Sequence, residues 1–238
     1  MKLFLTVLKI ETNLMLRSIN TVFFGVGFPA VVAIFMGLLM KDSKSFDSTF
    51  GAISTIGICA TGLMGLPLAI SDYRHKKVLK KYCVTPMSPA IILLVQGIIN
   101  YVTALVSLVI VYGIMSVGFG FTFTGNWFLF LATFTLTAFS MYGIGFMIAS
   151  ISKDMKMANL LSSLAYFPMI LLSGTIMPYE IMPSSFQTIM NIMPLKHGID
   201  LLNATALSIT TDTTMPIILL LTIGVICTGI SIKYFRWQ

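Results

Sequence analysis

The sequence predicts an all-α integral membrane protein with six transmembrane helices, and three observations carry that prediction. Only 10% of the 238 residues are charged and 57% are hydrophobic, where a soluble domain carries about 25% charged residues. The hydrophobic residues form runs rather than amphipathic stripes: 18–40, 49–71, 82–152, 157–179 and 213–232 contain no charged residue. The lysines and arginines collect between those runs, mostly on one side of the predicted membrane. A large buried soluble core is the alternative, but runs of this kind match the roughly 20 apolar residues that a membrane-crossing helix needs.

The elements follow in order. In 2–18, Lys2, Thr6, Lys9, Asn13 and Arg17 recur every three or four positions, and Leu3, Val7, Ile10 and Leu14 fill another face. That is helical amphipathicity, with polar residues too frequent for the core of a cleavable signal peptide. The segment reads as an N-terminal amphipathic helix lying in the membrane interface, and an ordinary lead-in helix shares its geometry. Spans one and two fall at about 21–40 and 50–71. The 82–152 run has 71 residues, which as one helix would be about 105 Å long at 1.5 Å per residue. It therefore holds two spans, about 90–117 and 127–150, divided at the glycine-rich stretch GFGFTFTG over 118–125. Spans five and six fall at about 158–175 and 214–233.

The long connection 176–213 carries prolines at 178, 183 and 194. Between the last two, Phe186, Ile189, Met190 and Met193 stand at i, i+3, i+4 and i+7, an apolar helical face. It is too short to span, so it predicts a re-entrant or interfacial helix between spans five and six, packed against those spans and partly closing the outer mouth. No soluble domain is visible, and 1–238 reads as a single transmembrane domain.

Six spans put both termini on one side. That side holds twelve of the 15 lysines and arginines, against Lys41, Lys44 and Lys196 on the other. The positive-inside rule then makes both termini and the 72–89 loop cytoplasmic, with 176–213 outside. The pI near 9.4 reflects this topology and attraction to anionic lipid headgroups, not nucleic-acid binding, since no basic domain stands apart from the spans.

Catalytic chemistry finds no residues to carry it. The two histidines, His75 and His197, fall on opposite sides of the membrane. No HExxH, GxSxG or glycine-rich phosphate loop occurs. Cys59, Cys83 and Cys227 have no metal-ligand spacing, so no metal site is expected. The Asn203-Ala204-Thr205 tripeptide fits a glycosylation acceptor but is common by chance. No acidic or basic residue stands near the middle of a span, where ion-coupled carriers commonly place one. Sodium coupling through backbone carbonyls would pass that test. The chain moves or binds something without an evident energy source of its own.

The stretch YRHKKVLKKYCVTPMSP over 73–89 holds five of the basic residues. Tyr73, Val78, Leu79, Tyr82 and Cys83 stand among them, the pattern of a short amphipathic helix over 72–85 that lies on lipid or docks on a soluble partner. A plain positive-inside loop explains the lysines alone. It does not explain the tyrosines or the ending at Pro86 and Pro89, where Pro86 stops a helix and Pro89 suits the first turn of the next.

LKKYCVTPMSPAIILLVQ over 79–96 resembles the cytoplasmic segment after span two of ABC type-2 export permeases: a basic, leucine-containing stretch, then Thr-Pro-x-Ser-Pro at Thr85, Pro86 and Pro89, then span three. LLSGTIMPYEIMPSSFQTIMNIMPLKHGIDLL over 171–202 resembles the family's segment after span five, with a Ser-Gly-x-x-x-Pro turn at Gly174 and Pro178, a second proline at Pro183, an amphipathic stretch, and Pro194 opening a helix. The six-span order and the N-terminal helix agree, so the resemblance covers nearly the whole chain. One departure stands out: Lys77 occupies the position where the family usually has glycine.

The resemblance implies the permease subunit of an ABC transporter in a bacterial cytoplasmic membrane. Two permease subunits would pair as a homodimer or heterodimer, with two separate cytoplasmic ATPase subunits docked beneath. ATP and magnesium would sit on those partners, leaving this chain without cofactor or catalytic residues. Tyr73, Lys77, Val78, Leu79, Tyr82, Thr85, Pro86 and Pro89 would form the coupling element. Spans one and five would meet the second permease, and spans two and five would line the route. Thr55 and Thr61, with Asn159, Ser162, Ser163 and Tyr166, are compatible with such a lining, and equally with helix packing. With 17 methionines and 18 phenylalanines in the chain, the route would suit varied apolar ligands, so a drug, antimicrobial peptide or lipid-like molecule fits better than a sugar or ion. A polysaccharide would be the family's other option. A stand-alone secondary transporter or channel, and a membrane enzyme or scaffold, are the readings from other classes.

Overall fold

In the computed structural model the described residues are 2–17, 22–40, 46–78, 89–175, 184–209 and 213–235, and all regular structure among them is helical. Helix α1 is Lys2–Arg17. It is followed by α2 (Phe23–Met40), α3 (Phe46–His75) and α4 (Pro89–Gly113, continued by a π turn over Ile114–Gly118). Then come α5 (Trp127–Ile151) and α6 (Met155–Leu172), two short helices α7 (Ser184–Met190) and α8 (Pro194–Ala206), and α9 (Thr214–Lys233). Helices α2, α3, α4, α5, α6 and α9 are the six long and apolar enough to cross a membrane. They fall at the six spans read from the sequence, with α3 extending beyond its predicted ends.

Local chemistry fixes the boundaries. Asn126 caps α5, its side chain accepting from the Phe128 and Leu129 amides at 2.8 and 3.4 Å, which satisfies two of the donors a helix start leaves open. Asp154 caps α6 in the same way, accepting from the Met157 amide at 2.8 Å. Only 152–154 separate the two helices. Gly174 has φ +87°, the left-handed conformation that glycine reaches without a Cβ penalty just past a helix end. Pro168 lies inside α6, where it removes a backbone donor.

The helices are not equivalent. In α3 and α5, 78% and 67% of the apolar window is buried, against 17% to 28% in α2, α6 and α9. The pair α3–α5 is therefore the spine, and small residues let it close. A Cβ on Gly145 would run into the carbonyl oxygen of Gly62, and one on Gly62 into the Tyr142 ring. Midway along, α3 loosens into a π turn over Ala60–Gly65, where the Leu66 amide donates to the Thr61 carbonyl. Pro67 follows immediately. Having no N–H, it cannot bond four residues back, and the wider turn re-satisfies part of the backbone.

At 30 residues, α3 is about 45 Å long at 1.5 Å per residue, well beyond a hydrocarbon core of about 30 Å. It runs longer than the 50–71 the sequence predicts. Its extra turns are occupied at both ends, by an aromatic cluster and α8 at the Phe46 end and by α1 at the His75 end.

Candidate functional site

The His75 end of α3 gathers the buried charged side chains among the described residues, Glu11 and Arg74, together with Gln96. Tyr73 donates its hydroxyl to Glu11 Oε2 of α1, and Gln96 Nε2 of α4 donates to the same oxygen at 2.9 Å. Glu11 and Gln96 are buried. One carboxylate oxygen thus ties α1, α3 and α4 together, and charge-assisted bonds of this kind are the stronger ones. One residue on, Arg74 turns to the other side. Its Nη1 donates to the Ser152 carbonyl at 2.5 Å and its Nη2 to the Ala149 carbonyl at 3.1 Å. These are carbonyls at the C-terminal end of α5, where a cation meets unsatisfied acceptors and the negative end of the helix dipole. A planar guanidinium can serve both at once. The base of α3 therefore holds α1, α4 and α5.

The helix then stops. The Lys76 amide donates to the Asp72 carbonyl at 2.8 Å and the Lys77 amide to the Arg74 carbonyl at 3.0 Å. Lys77 has φ +58°, a left-handed conformation in which its Cβ is crowded. This is the position where the sequence departs from the family's glycine, so the departure leaves the turn in place and changes the residue that must adopt it. The expected helix over 72–85 is not continuous. Residues 72–75 are the last turn of α3, and the chain bends at 76–77 because the left-handed residue cannot extend a right-handed helix.

Of the predicted coupling residues, Tyr73 is half-buried with its hydroxyl directed into the subunit, Lys77 is exposed, Val78 is half-buried, and Pro89 opens α4. Leu79, Tyr82, Thr85 and Pro86 lie outside the described residues.

The residues proposed to line a route lie on α3 and α6. Thr55 is buried and donates to the Ala52 carbonyl at 2.7 Å. Thr61 donates to the Gly57 carbonyl at 2.7 Å and lies 3.1 Å from the Tyr142 hydroxyl of α5. Both threonines satisfy themselves on their own helix and pack inside the subunit. Ser162 and Tyr166 are buried on α6, which packs along the second half of α3. Ser163 is half-buried and Asn159 exposed. The Ser162 hydroxyl is buried without a hydrogen-bond partner in the single subunit.

At the opposite end, α7 carries the expected short helix. Met190 is fully buried, Met193 half-buried and Ile189 exposed. The Phe186 side chain and Pro178 and Pro183 lie outside what is described. Most of the packing at this end comes from α8, opened by Pro194, which packs among α3, α5 and α9. It comes close enough that a Cβ on Gly51 would strike the Asn203 side chain and one on Gly198 the Thr137 side chain. Thr205 lies 3.2 Å from Thr133, so the Asn203-Ala204-Thr205 tripeptide is part of a packed helix.

Sequence reasoning missed Glu11, Gln96 and the role of Arg74. Glu11 was visible as the one carboxylate before Asp42. It stands one turn after Val7, and these two are the buried residues among the described side chains of α1. Ile10 and Leu14, expected to share the face of Val7, point outward and are about half exposed. Among the described residues no group of three or more His, Cys, Asp or Glu side chains could hold a metal.

The family model for the ABC-2 type transporter matches residues 2–207. Among curated proteins, the chain is similar to the "Probable multidrug ABC transporter permease YbhR" of Escherichia coli strain K12, at 27% identity over 162 residues, 67% of this chain and 43% of that protein. It is also similar to the "Inner membrane transport permease YhhJ" of the same strain and of Shigella flexneri, at 30% identity over 168 residues, 68% of this chain and 43% of each relative. The matched region is thus less than half the length of these relatives. With six membrane-length helices and a family match over most of its residues, the chain belongs to the ABC-2 type transporter family, as a multi-pass protein of the bacterial inner membrane.

Proposed function

We propose that this chain is the membrane-spanning subunit of an ABC exporter, driven by ATP that is hydrolysed with magnesium on separate cytoplasmic partner subunits. Two permease chains, alike or different, pair over two copies of the ATPase. The whole of 1–238 acts as one transmembrane domain with both termini and the 72–89 loop in the cytoplasm, and α1 lies in the interface with Ile10 and Leu14 toward lipid. The substrate is hydrophobic or amphipathic, a reading supported by the apolar composition and by the word "multidrug" in the name of one relative. The observation that carries the reading is the grip at the base of α3. A partner pushing on the turn at Lys76–Lys77 pushes a helix that is bonded to α1, α4 and α5 and that reaches the opposite end of the molecule as α3's Phe46 terminus.

The test is co-expression with an ABC ATPase, followed by co-purification and substrate-stimulated ATPase measurements. Leu79→Asp with Tyr82→Asp should abolish co-purification or stimulation while the permease still inserts. Full assembly and transport by that variant would leave 72–89 as a positive-inside anchor only. Transport by the purified chain alone, without ATP, would instead establish a stand-alone carrier.

A further inference from the structure

Helices α4 and α5 each pack on α3 and hardly on one another. Between them lies an open-sided groove of about 270 Å³, lined by apolar and aromatic side chains from Leu93 to Tyr101 on α4 and from Thr135 to Phe146 on α5. Leu94, Ile98 and Phe139 form its exposed rims. Gly97 keeps it open: a Cβ there would already lie 3.2 Å from the Phe146 ring. The groove is closed toward the Trp127 end of α5 by Tyr101, whose hydroxyl is 2.6 Å from Thr135 Oγ1. Thr135 in turn donates to the Leu131 carbonyl at 2.7 Å, so both hydroxyls are satisfied where they face hydrocarbon.

Three properties identify the occupant. The groove is smaller than a drug-sized pocket of about 300–1,000 Å³ and open along one side. From Thr135 to Phe146 it covers about 17 Å of helix at 1.5 Å per residue, close to one leaflet of a hydrocarbon core about 30 Å thick. Past Phe146 the α5 strip of the groove runs toward the C-terminal end of that helix, near which the chain places two cations. Lys153 is exposed just past Ile151, and Lys77 is exposed three residues after Arg74, whose guanidinium is bonded to the Ala149 and Ser152 carbonyls.

We infer that this groove is a binding site for a single anionic lipid of the cytoplasmic leaflet, one acyl chain lying between α4 and α5 and the headgroup held by Lys77 and Lys153. The assignment of the leaflet rests on the topology proposed above. The site itself does not, since Lys77 and Lys153 stand near the same end of α5 whichever way the chain is inserted. Such a lipid fills the gap that α4 and α5 leave and makes their separation responsive to what occupies it.

The test reads lipid retention on the purified permease alone, by native mass spectrometry after reconstitution in phosphatidylglycerol and phosphatidylethanolamine at equal amounts. It needs neither ATPase nor transport, so failure of the export reading leaves it intact. Phosphatidylglycerol should be retained over phosphatidylethanolamine. Lys77→Gln with Lys153→Gln should lower that preference by about fivefold for each charge removed near the surface. Gly97→Leu should abolish retention of either lipid by filling the groove. Equal retention of the two lipids by the unaltered chain, or undiminished phosphatidylglycerol binding in a folded Gly97→Leu protein, overturns the inference. If Gly97→Leu does not fold, the lysine pair decides: an unchanged preference overturns it as well.

Discussion

The two ends of α3 are held by different physics. At the Phe46 end the contacts are aromatic. Phe50 lies 4.7 Å from Phe121 and 5.4 Å from Phe130, ring centroid to centroid, and Phe123 stacks on Trp127 at 3.9 Å. The glycine-rich 118–125 stretch supplies two of these rings, so a segment read as a mere break between spans is a lid over the spine. At the His75 end the contacts are hydrogen bonds to charged groups, Glu11 and Arg74. Dispersion contacts are many and individually weak, and they survive small rotations of a helix. Two bonds from one guanidinium to two fixed carbonyls do not. The aromatic end can seal while α3 adjusts, whereas the polar end carries α1, α4 and α5 along with it.

That contrast gives the largest expected effect. Phe50→Ala empties a fully buried site and should cost about 3–5 kcal/mol of stability, yet leave the coupling of any surviving folded protein to the proposed ATPase unchanged. Arg74→Met should cost less, about 1.5–3 kcal/mol for the lost charge-assisted bonds, and should depress substrate-stimulated ATPase beyond what the fall in folded protein accounts for. Unfolding in detergent and ATPase stimulation, measured side by side, check both. Equal loss of stimulation per folded molecule in the two variants would remove the distinction between the ends.

Within the polar end, Glu11→Gln and Tyr73→Phe sharpen the comparison. Each should destabilise by about 1–2 kcal/mol, since each leaves a buried partner incompletely paired. The double variant should cost less than the sum, with a coupling of about 0.5–3 kcal/mol, as groups sharing one bond do. Additivity in that cycle would mean that α1 does not ride on α3 and that the carboxylate serves α4 alone.

The outline of the molecule was legible because membrane-length apolar runs are written directly in composition: all six spans appear where the charge-free segments put them. The caps were legible in principle, as Asn126 and Asp154 stand just before apolar runs. The site was less so. A helical period places Val7 with Ile10 and Leu14, but which edge of an amphipathic helix turns inward depends on a neighbour far along the chain, here Tyr73 and Gln96. Arg74 looked like its neighbours Lys76 and Lys77 because five adjacent charges read alike in one dimension. Only the end of α5, more than 70 residues later, separates the buried one from the exposed ones. Thr55 and Thr61 show a limit of another kind: hydroxyls inside a span suit a polar route and helix packing alike, and in this subunit both donate to carbonyls one turn back.

The smallest expected effect tests the turn that ends the polar grip. Lys77 holds a left-handed conformation that costs a side-chain-bearing residue about 1–2 kcal/mol. Glycine removes that cost but is freer in the unfolded chain, which takes back about 0.5–1 kcal/mol. Lys77→Gly should therefore stabilise by about 0.5 kcal/mol, the balance of those two terms, whereas Lys77→Ala, which keeps the Cβ, should change little. The pair isolates backbone from charge, because both variants lose the ammonium group. If glycine and alanine give the same stability, Lys77 is not strained and the turn at 76–77 is free to straighten. The base of α3 would then be a hinge toward the partner. If glycine alone gains, the bend is set by the backbone, and a force applied beyond Lys77 enters α3 through a fixed corner.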